Sequence, residues 1–328
     1  MTLSNVNGPD DRLESLSGRV REFIDASLSE ATKKAYSADW SAFVAWTKKM
    51  NLTALPASPT TVALYLAEKS TTHKTTSMSR FLVVIGKLHT WANFPNPVST
   101  EEVKTVFRGV KRTLGARRQK AEPITWPMMK SLIAKCTPSI IGTRDSALLS
   151  LGWAGALRRS EITELTIDDV NIGDEGITVR INRSKTDQEA IGVEIGIPRN
   201  KSDTRFCPVE LLERWISRME ISEGPLFFAL RRNSGDLMFQ KISGRNHLSP
   251  LVINNVVKKY VRMIGLNPRL YSSHSLRRGL ATEAGRLNVP ERIVMRHTRH
   301  RSVDVLRGYI DSGSLFEENP LAAVWLNQ

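Results

Sequence analysis

Apolar residues in the first third of the chain recur at helical intervals. Tyr36, Trp40, Phe43 and Val44 follow the polar start Ser29-Glu-Ala-Thr at spacings that place them on one helix face. Ser58-Pro59 predicts an N-cap with proline in the first turn, opening the run Val62-Ala-Leu-Tyr-Leu. Phe81, Leu82, Ile85, Leu88 and Trp91 make a third stripe, and Ser99 with Glu102 reads as a capping box ahead of Val103, Val106 and Phe107. Such stripes bury one another in a small bundle. Residues 13–114 are therefore expected to form a helical domain behind a loose polar tail over residues 1–12.

The pattern then breaks. Gly115-Ala-Arg-Arg-Gln-Lys-Ala-Glu-Pro123 has no apolar period and opens on a helix-stopping glycine, which predicts an interdomain linker over residues 115–123. From residue 124 to 328 the reading is mixed α/β, mainly helical with a small sheet. Gly176-Ile-Thr-Val-Arg-Ile-Asn and Ile191-Gly-Val-Glu-Ile-Gly-Ile alternate apolar with polar residues, as the two strands of a half-exposed hairpin do. Helices are expected over 208–219, 250–264, 275–286 and 290–297, with a last one after Asn319-Pro320, over residues 319–328. The fold class is thus mostly α, in two domains.

Composition narrows the partners. The 328 residues carry a formal net charge of +14, which favours a polyanion, of which nucleic acid is the commonest, over the bland alternative of a basic protein without that role. Cys136 and Cys207 are the only cysteines; they form no metal-spaced pair and no disulfide framework, which suits a reducing cytoplasm. No apolar run approaches the roughly 20 residues that span a bilayer, so no membrane partner is expected. The acidic doublets Asp10-Asp11 and Asp168-Asp169 lack partners at ligand spacing and read as solvated or turn residues, and no Gly-rich phosphate loop is present. No cofactor or metal is expected.

The candidate chemistry lies in a few short strings. Ala156-Leu-Arg158-Arg-Ser-Glu161 comes first, then Ser184-Lys185-Thr186-Asp187, then His274-Ser-Leu-Arg277, His300 and Tyr309. Guanidinium groups match phosphate oxygens and stay charged, imidazole and ammonium groups move protons, and a phenol is a nucleophile once its proton is removed. Singly each residue has a bland reading: arginines on helices are usually surface residues, Arg159 and Arg278 adjoin the two chosen ones, and Lys185 is an ordinary turn lysine. Tyr271 is the runner-up nucleophile and His297 competes with His300. His274 and Arg277 share a helix face by spacing.

Taken as a set, in this order, and with His300 nine residues before Tyr309, these strings resemble the tyrosine site-specific recombinases of the phage integrase family. Leu157-Arg158-Arg-Ser-Glu161 matches the family's Leu-Arg-x-x-Glu, and His274 to Arg277 matches its His-x-x-Arg. The resemblance implies that Arg158 and Arg277 bind the scissile phosphate, Glu161 orients its neighbours, Lys185 is the general acid and Tyr309 the nucleophile, with His274 and His300 completing the site. Ser29-Glu-Ala-Thr-Lys-Lys-Ala-Tyr-Ser-Ala-Asp-Trp looks particularly like the Cre-like members. His300 departs from Cre, where tryptophan stands; most of the wider family has histidine there. Arg299 stands where many relatives have glycine.

The family further implies a C-shaped clamp on double-stranded DNA with inverted half-sites. The protein would be a monomer in solution and a homotetramer on DNA, linked by exchange of the terminal helix 319–328. Strand exchange would pass through a 3′-phosphotyrosine and a Holliday junction, without metal or ATP. Helices near 76–92 and 249–264 become candidates for base reading, with Asn254 and Lys258 as individual candidates, and Arg117, Arg118 and Lys120 for the phosphate backbone. A type IB topoisomerase and a non-catalytic DNA-binding protein on the same fold are the rival readings. The family setting is bacterial, nucleoid-associated, or carried by a phage or plasmid.

Overall fold

The computed structural model describes residues 30–115, 121–182, 192–230, 247–300 and 302–314. Two compact units meet in sequence between Gln119 and Lys120.

The described residues of the first unit form four helices: α1 (Glu30–Lys49), α2 (Pro59–Lys69), α3 (Thr75–Trp91) and α4 (Glu101–Leu114). Its core is aromatic. Tyr65 is fully buried, and the rings of Phe43 and Trp46 each stand 5.0 Å from it, centroid to centroid. Ser58 caps α2 by accepting the Thr61 N–H, with Pro59 in the first turn. A second pin is His89, whose Nε2 accepts the Ala57 N–H at 2.8 Å while Nδ1 donates to the Ile85 carbonyl at 2.7 Å. Three expectations change here. Trp91 and Val44 end their stripes exposed, while Trp46 takes the buried place instead. The chain enters α4 through a short 3-10 turn, Pro97–Ser99, so Thr100 rather than Ser99 occupies the N-cap; Ser99 Oγ donates to the Asn96 carbonyl. Gly115 ends α4 with φ +73°, a conformation glycine adopts without a Cβ clash.

The second unit is built on α5 (Trp126–Ala134), α6 (Ile140–Ala154), α7 (Arg159–Glu164), α8 (Pro208–Arg218), α9 (Pro250–Met263), α10 (His274–Arg286), α11 (Glu291–Thr298) and α12 (Val303–Ser314), with a three-stranded sheet. Strands β1 (Val170–Ile172), β2 (Gly176–Ile181) and β3 (Val193–Pro198) pair antiparallel in that order, with Val179 opposite Val170 on one side and Ile195 on the other. Ile177, Val179 and Ile181 point into the core and Thr178 and Arg180 away from it, the alternation of a one-sided sheet. Helix α6 is the spine: Gly142 through Gly152 are all buried, so it shows no amphipathic stripe.

Ala121 to Pro123, expected in the linker, belong to this unit. Glu122 N–H donates to the Leu270 carbonyl at 2.8 Å, and the Ala121 carbonyl accepts from Arg278 Nη1 at 2.6 Å. Asp169, read as a solvated or turn residue, is a buried turn residue: it accepts from Thr166 N and Oγ1, and from Asn182 Nδ2, tying the turn before β1 to the end of β2.

Candidate active site

Three backbone features aim the site. The first is the turn Gly155–Leu157 between α6 and α7, where Ala156 adopts φ +46°. This turn brings the Ala156 carbonyl towards α10 and sets Arg158 as the N-cap of α7. The second is the start of α10. Asn254 Oδ1 accepts the Ser273 N–H at 3.1 Å and the Ser275 carbonyl accepts from Ile124 N at 3.0 Å, so His274 begins the helix in a fixed position. Gly279 makes this seat possible: a Cβ there would lie 1.9 Å from the Ile124 carbonyl oxygen. The third is α12, which carries Tyr309 inside a helix. Leu306 and Tyr309 pack with Ala281 and Val294 in a small separate core, and Thr282 Oγ1 donates to the Tyr309 carbonyl at 3.2 Å.

On this frame the structure brings together Arg158, Glu161, His274, Arg277, His300 and Tyr309. The Tyr309 hydroxyl lies 2.9 Å from His274 Nε2. Its ring meets those of His274 and His300 edge-on, at 5.9 and 5.4 Å, and Arg278 stands 5.5 Å from its centroid. Tyr309 is 9% exposed, so its hydroxyl is held against His274 rather than swinging in solvent. His300 Nδ1 is 2.7 Å from Thr298 Oγ1.

Arg277 is 1% exposed. Its Nη1 donates to the Ala156 carbonyl at 2.8 Å, while its buried Nη2 has no hydrogen-bond partner among the described residues. An unpaired buried guanidinium nitrogen is costly, and it is what a preorganised anion site needs. Burial, then Arg158 and Arg299, push the Arg277 guanidinium down to about 9, so it keeps its charge at neutral pH. Arg158 Nη1 pairs with Glu161 Oε1 at 2.7 Å, and Glu161 Oε2 accepts the Arg158 N–H at 2.8 Å, a capping box that locks the arginine to its own helix.

Burial, reinforced by concentrated positive charge, makes the imidazoles weak bases. Burial first, then Arg277, Arg278 and Arg158, hold His274 below the usual histidine range. Burial and the charges of Arg277 and Arg158 push His300 down to about 3. Both rings are neutral at pH 7, so His274 Nε2 can accept a phenolic proton.

Sequence reasoning missed Arg299. Its Nη2 pairs with Glu161 Oε2 at 2.8 Å, and the residue sits in the left-handed region at φ +58°. The one available signal was an arginine where many relatives have glycine. His297 takes a structural place: it lies in the last turn of α11 and its Nε2 donates to the Ala154 carbonyl at 2.6 Å. Tyr271 packs on the main core. Asn254 holds the start of α10 through its Oδ1, and Lys258 is half-buried on α9. Lys185, Arg117, Arg118, Lys120 and residues 319–328 lie outside the described residues. Among the described residues no group of three His, Cys, Asp or Glu could hold a metal ion, and no helix is long and apolar enough to cross a membrane.

A phenol on an imidazole, beside buried guanidinium groups, is an arrangement that can transfer a phosphoryl group through tyrosine. The catalytic unit matches the model of the phage integrase family over residues 122–314. An integrase/recombinase of Selenomonas ruminantium, described as a XerD homologue, is 33% identical over 94% of this chain and 89% of its own. The tyrosine recombinase XerD of Pasteurella multocida is 25% identical over 88% and 89%. In fold, the chain is similar to the XerH site-specific recombinase in a post-cleavage complex with its palindromic difH substrate (TM-score 0.60, 16% identity, 82% of this chain and 72% of that one). It is also similar to a lambda integrase dimer bound to a COC′ core site (TM-score 0.55, 13% identity, 91% and 77%). The chain belongs to the phage integrase family and is a tyrosine recombinase.

Proposed function

We propose that the protein cuts and rejoins double-stranded DNA at a specific site through a 3′-phosphotyrosine at Tyr309. The observation that carries this reading is the 2.9 Å contact between the Tyr309 hydroxyl and His274 Nε2, set beside the unpaired Nη2 of Arg277. Tyr309 Oη attacks the phosphorus, and His274 Nε2 takes the phenolic proton. Arg158 and Arg277 neutralise the non-bridging oxygens and the charge that builds on them, and His300 hydrogen-bonds a non-bridging oxygen. The bond to the 5′ oxygen breaks, and Lys185 supplies the proton to that oxygen. The tyrosyl ester conserves the phosphodiester bond energy, so a 5′-hydroxyl from a partner duplex can displace Tyr309 without ATP. One such exchange makes a Holliday junction and a second resolves it.

Inverted half-sites, a homotetramer on DNA linked through residues 319–328, a monomer in solution and a bacterial nucleoid setting complete the proposal. They rest on the family, as does the finer placement beside the Cre-like recombinases. In the first unit α3 is the candidate groove-reading helix, since Val83 and Trp91 are exposed on it and Lys87 lies 5.7 Å from the Trp91 ring. The test is incubation with sheared DNA of the source replicon, followed by denaturation, recovery of protein-bound fragments and sequencing. Fragments ending at one recurrent sequence, with protein on the 3′ end and a free 5′-hydroxyl, are expected. Site-independent relaxation of supercoiled plasmid would favour a type IB topoisomerase, and DNA binding without any covalent adduct a non-catalytic protein.

A further inference from the structure

Arg299 turns both terminal nitrogens of its guanidinium onto the protein, and only its buried Nε has no hydrogen-bond partner among the described residues. Nη2 donates to Glu161 Oε2 at 2.8 Å and to the Ala156 carbonyl at 3.2 Å; Nη1 reaches the Gly155 and His297 carbonyls at 3.3 and 3.4 Å. Its side chain is 7% exposed. The backbone below it lies in the left-handed region, which a branched or long side chain enters only when its surroundings fix it there. The groups it touches serve the other two arginines. Glu161 is the partner of Arg158, and the Ala156 carbonyl is the acceptor of Arg277 Nη1.

We propose that Arg299 is a positioning residue that clamps Glu161 and the Ala156 carbonyl, so that Arg158 and Arg277 are held ready for a phosphate while their charge stays available to it. Without Arg299, the Glu161 carboxylate would be balanced by Arg158 alone. That stronger pairing would draw the Arg158 charge away from an incoming anion, and the Ala156 carbonyl would lose one of its two guanidinium donors. With Arg299 in place, one carboxylate is shared between two guanidinium groups, and the site keeps a surplus of positive charge in a buried setting where charge acts strongly.

This inference rests on the reading of the site as a phosphate-transfer centre, but it can be tested without strand cleavage. The probe is inorganic phosphate, titrated into the full chain at pH 7 while the imidazole resonances of His274 and His300 are followed. Arg299→Gly suits the left-handed backbone and removes the side chain with its guanidinium. It should weaken phosphate binding by about tenfold, with Arg299→Lys recovering part of the loss, because a single ammonium replaces some of the charge and none of the fork. In a Glu161→Gln background, where there is no carboxylate to share, the further change Arg299→Gly should alter binding less than about twofold.

Wild-type binding by Arg299→Gly would overturn the proposal. So would an equal loss whether residue 161 is Glu or Gln, which would make Arg299 a direct ligand. If Arg299→Gly does not fold, Arg299→Lys decides, and unchanged phosphate binding there counts against the clamp. Adduct formation on DNA supplies a separate readout, in which the rate at saturating DNA should fall in Arg299→Gly and the half-saturating concentration should barely move. Absence of any adduct in the wild type would sink the tyrosine reading while leaving the phosphate result interpretable.

Discussion

Three donors converge on Glu161. Arg158 reaches it through its backbone N–H and Nη1, and Arg299 through Nη2. Its side chain is 1% exposed, so neutralising it leaves buried guanidinium groups uncompensated. Breaking a buried pair in this way costs about 3–5 kcal/mol, and Glu161→Gln is expected to lose stability of about that size in urea unfolding. A loss below about 1 kcal/mol, the value of an exposed pair, would mean the cluster is more hydrated than its geometry shows.

Histidine titration gives a second residue-scale test. His300 is pushed down to about 3, and His274 and His297 are lowered as well, all by burial first. Above an unfolded value of about 6.5 neither folded nor unfolded chain holds these protons, and stability does not depend on them. As pH falls below that, the unfolded chain takes them up and the folded one does not. Stability should therefore drop between about pH 6.5 and 3, by on the order of 2 kcal/mol at pH 5 from His300 alone. Urea titrations in phosphate-free buffer should show that slope, and His300→Asn should flatten it; equal slopes in the two proteins would contradict the assignment.

At the scale of elements, α10 is the part on which the site hangs, because it carries His274 and Arg277 and approaches residue 124 backbone to backbone. Gly279→Ala would put a Cβ 1.9 Å from the Ile124 carbonyl oxygen. Overpacking of this kind usually costs about 1–3 kcal/mol, and here it should also shift His274 off Tyr309. Thermal unfolding and adduct formation should both fall; a variant as stable and active as the wild type would mean that α10 and residue 124 separate freely.

How much was legible followed the kind of pattern each element carries. The hairpin β2–β3 showed because one face is buried, which writes a period of two into Ile177, Val179 and Ile181. Helices α8 and α9 showed because they are amphipathic and open on proline after a capping position. Helix α6 did not, since a helix buried all round has no polar face to set its period, and β1, at three residues, is too short to carry one. Tyr309 and the residues around it were readable as a family pattern of spacings. Arg299 was not, because its role depends on a left-handed turn and on Glu161, 138 residues away in sequence.

At the scale of the whole molecule, the net charge of +14 makes DNA binding an electrostatic, salt-dependent event. Each phosphate neutralised steepens the dependence of log K on log salt by about 0.9. If Arg117, Arg118 and Lys120 lie along the backbone, replacing all three by alanine should make that slope shallower by about 2–3, as measured by titrating labelled duplex at several salt concentrations. An unchanged slope would remove the segment between the two units from the DNA contact.

Everything proposed for this site turns on Tyr309 becoming covalently joined to DNA. The direct measurement is to trap the adduct on source-replicon DNA, digest both protein and DNA, and identify by mass spectrometry the peptide that retains a nucleotide. A nucleotide ester is expected on the peptide containing Tyr309, present in the wild type and absent in Tyr309→Phe. An adduct on Tyr271 or any other residue, or one that survives in Tyr309→Phe, would contradict it.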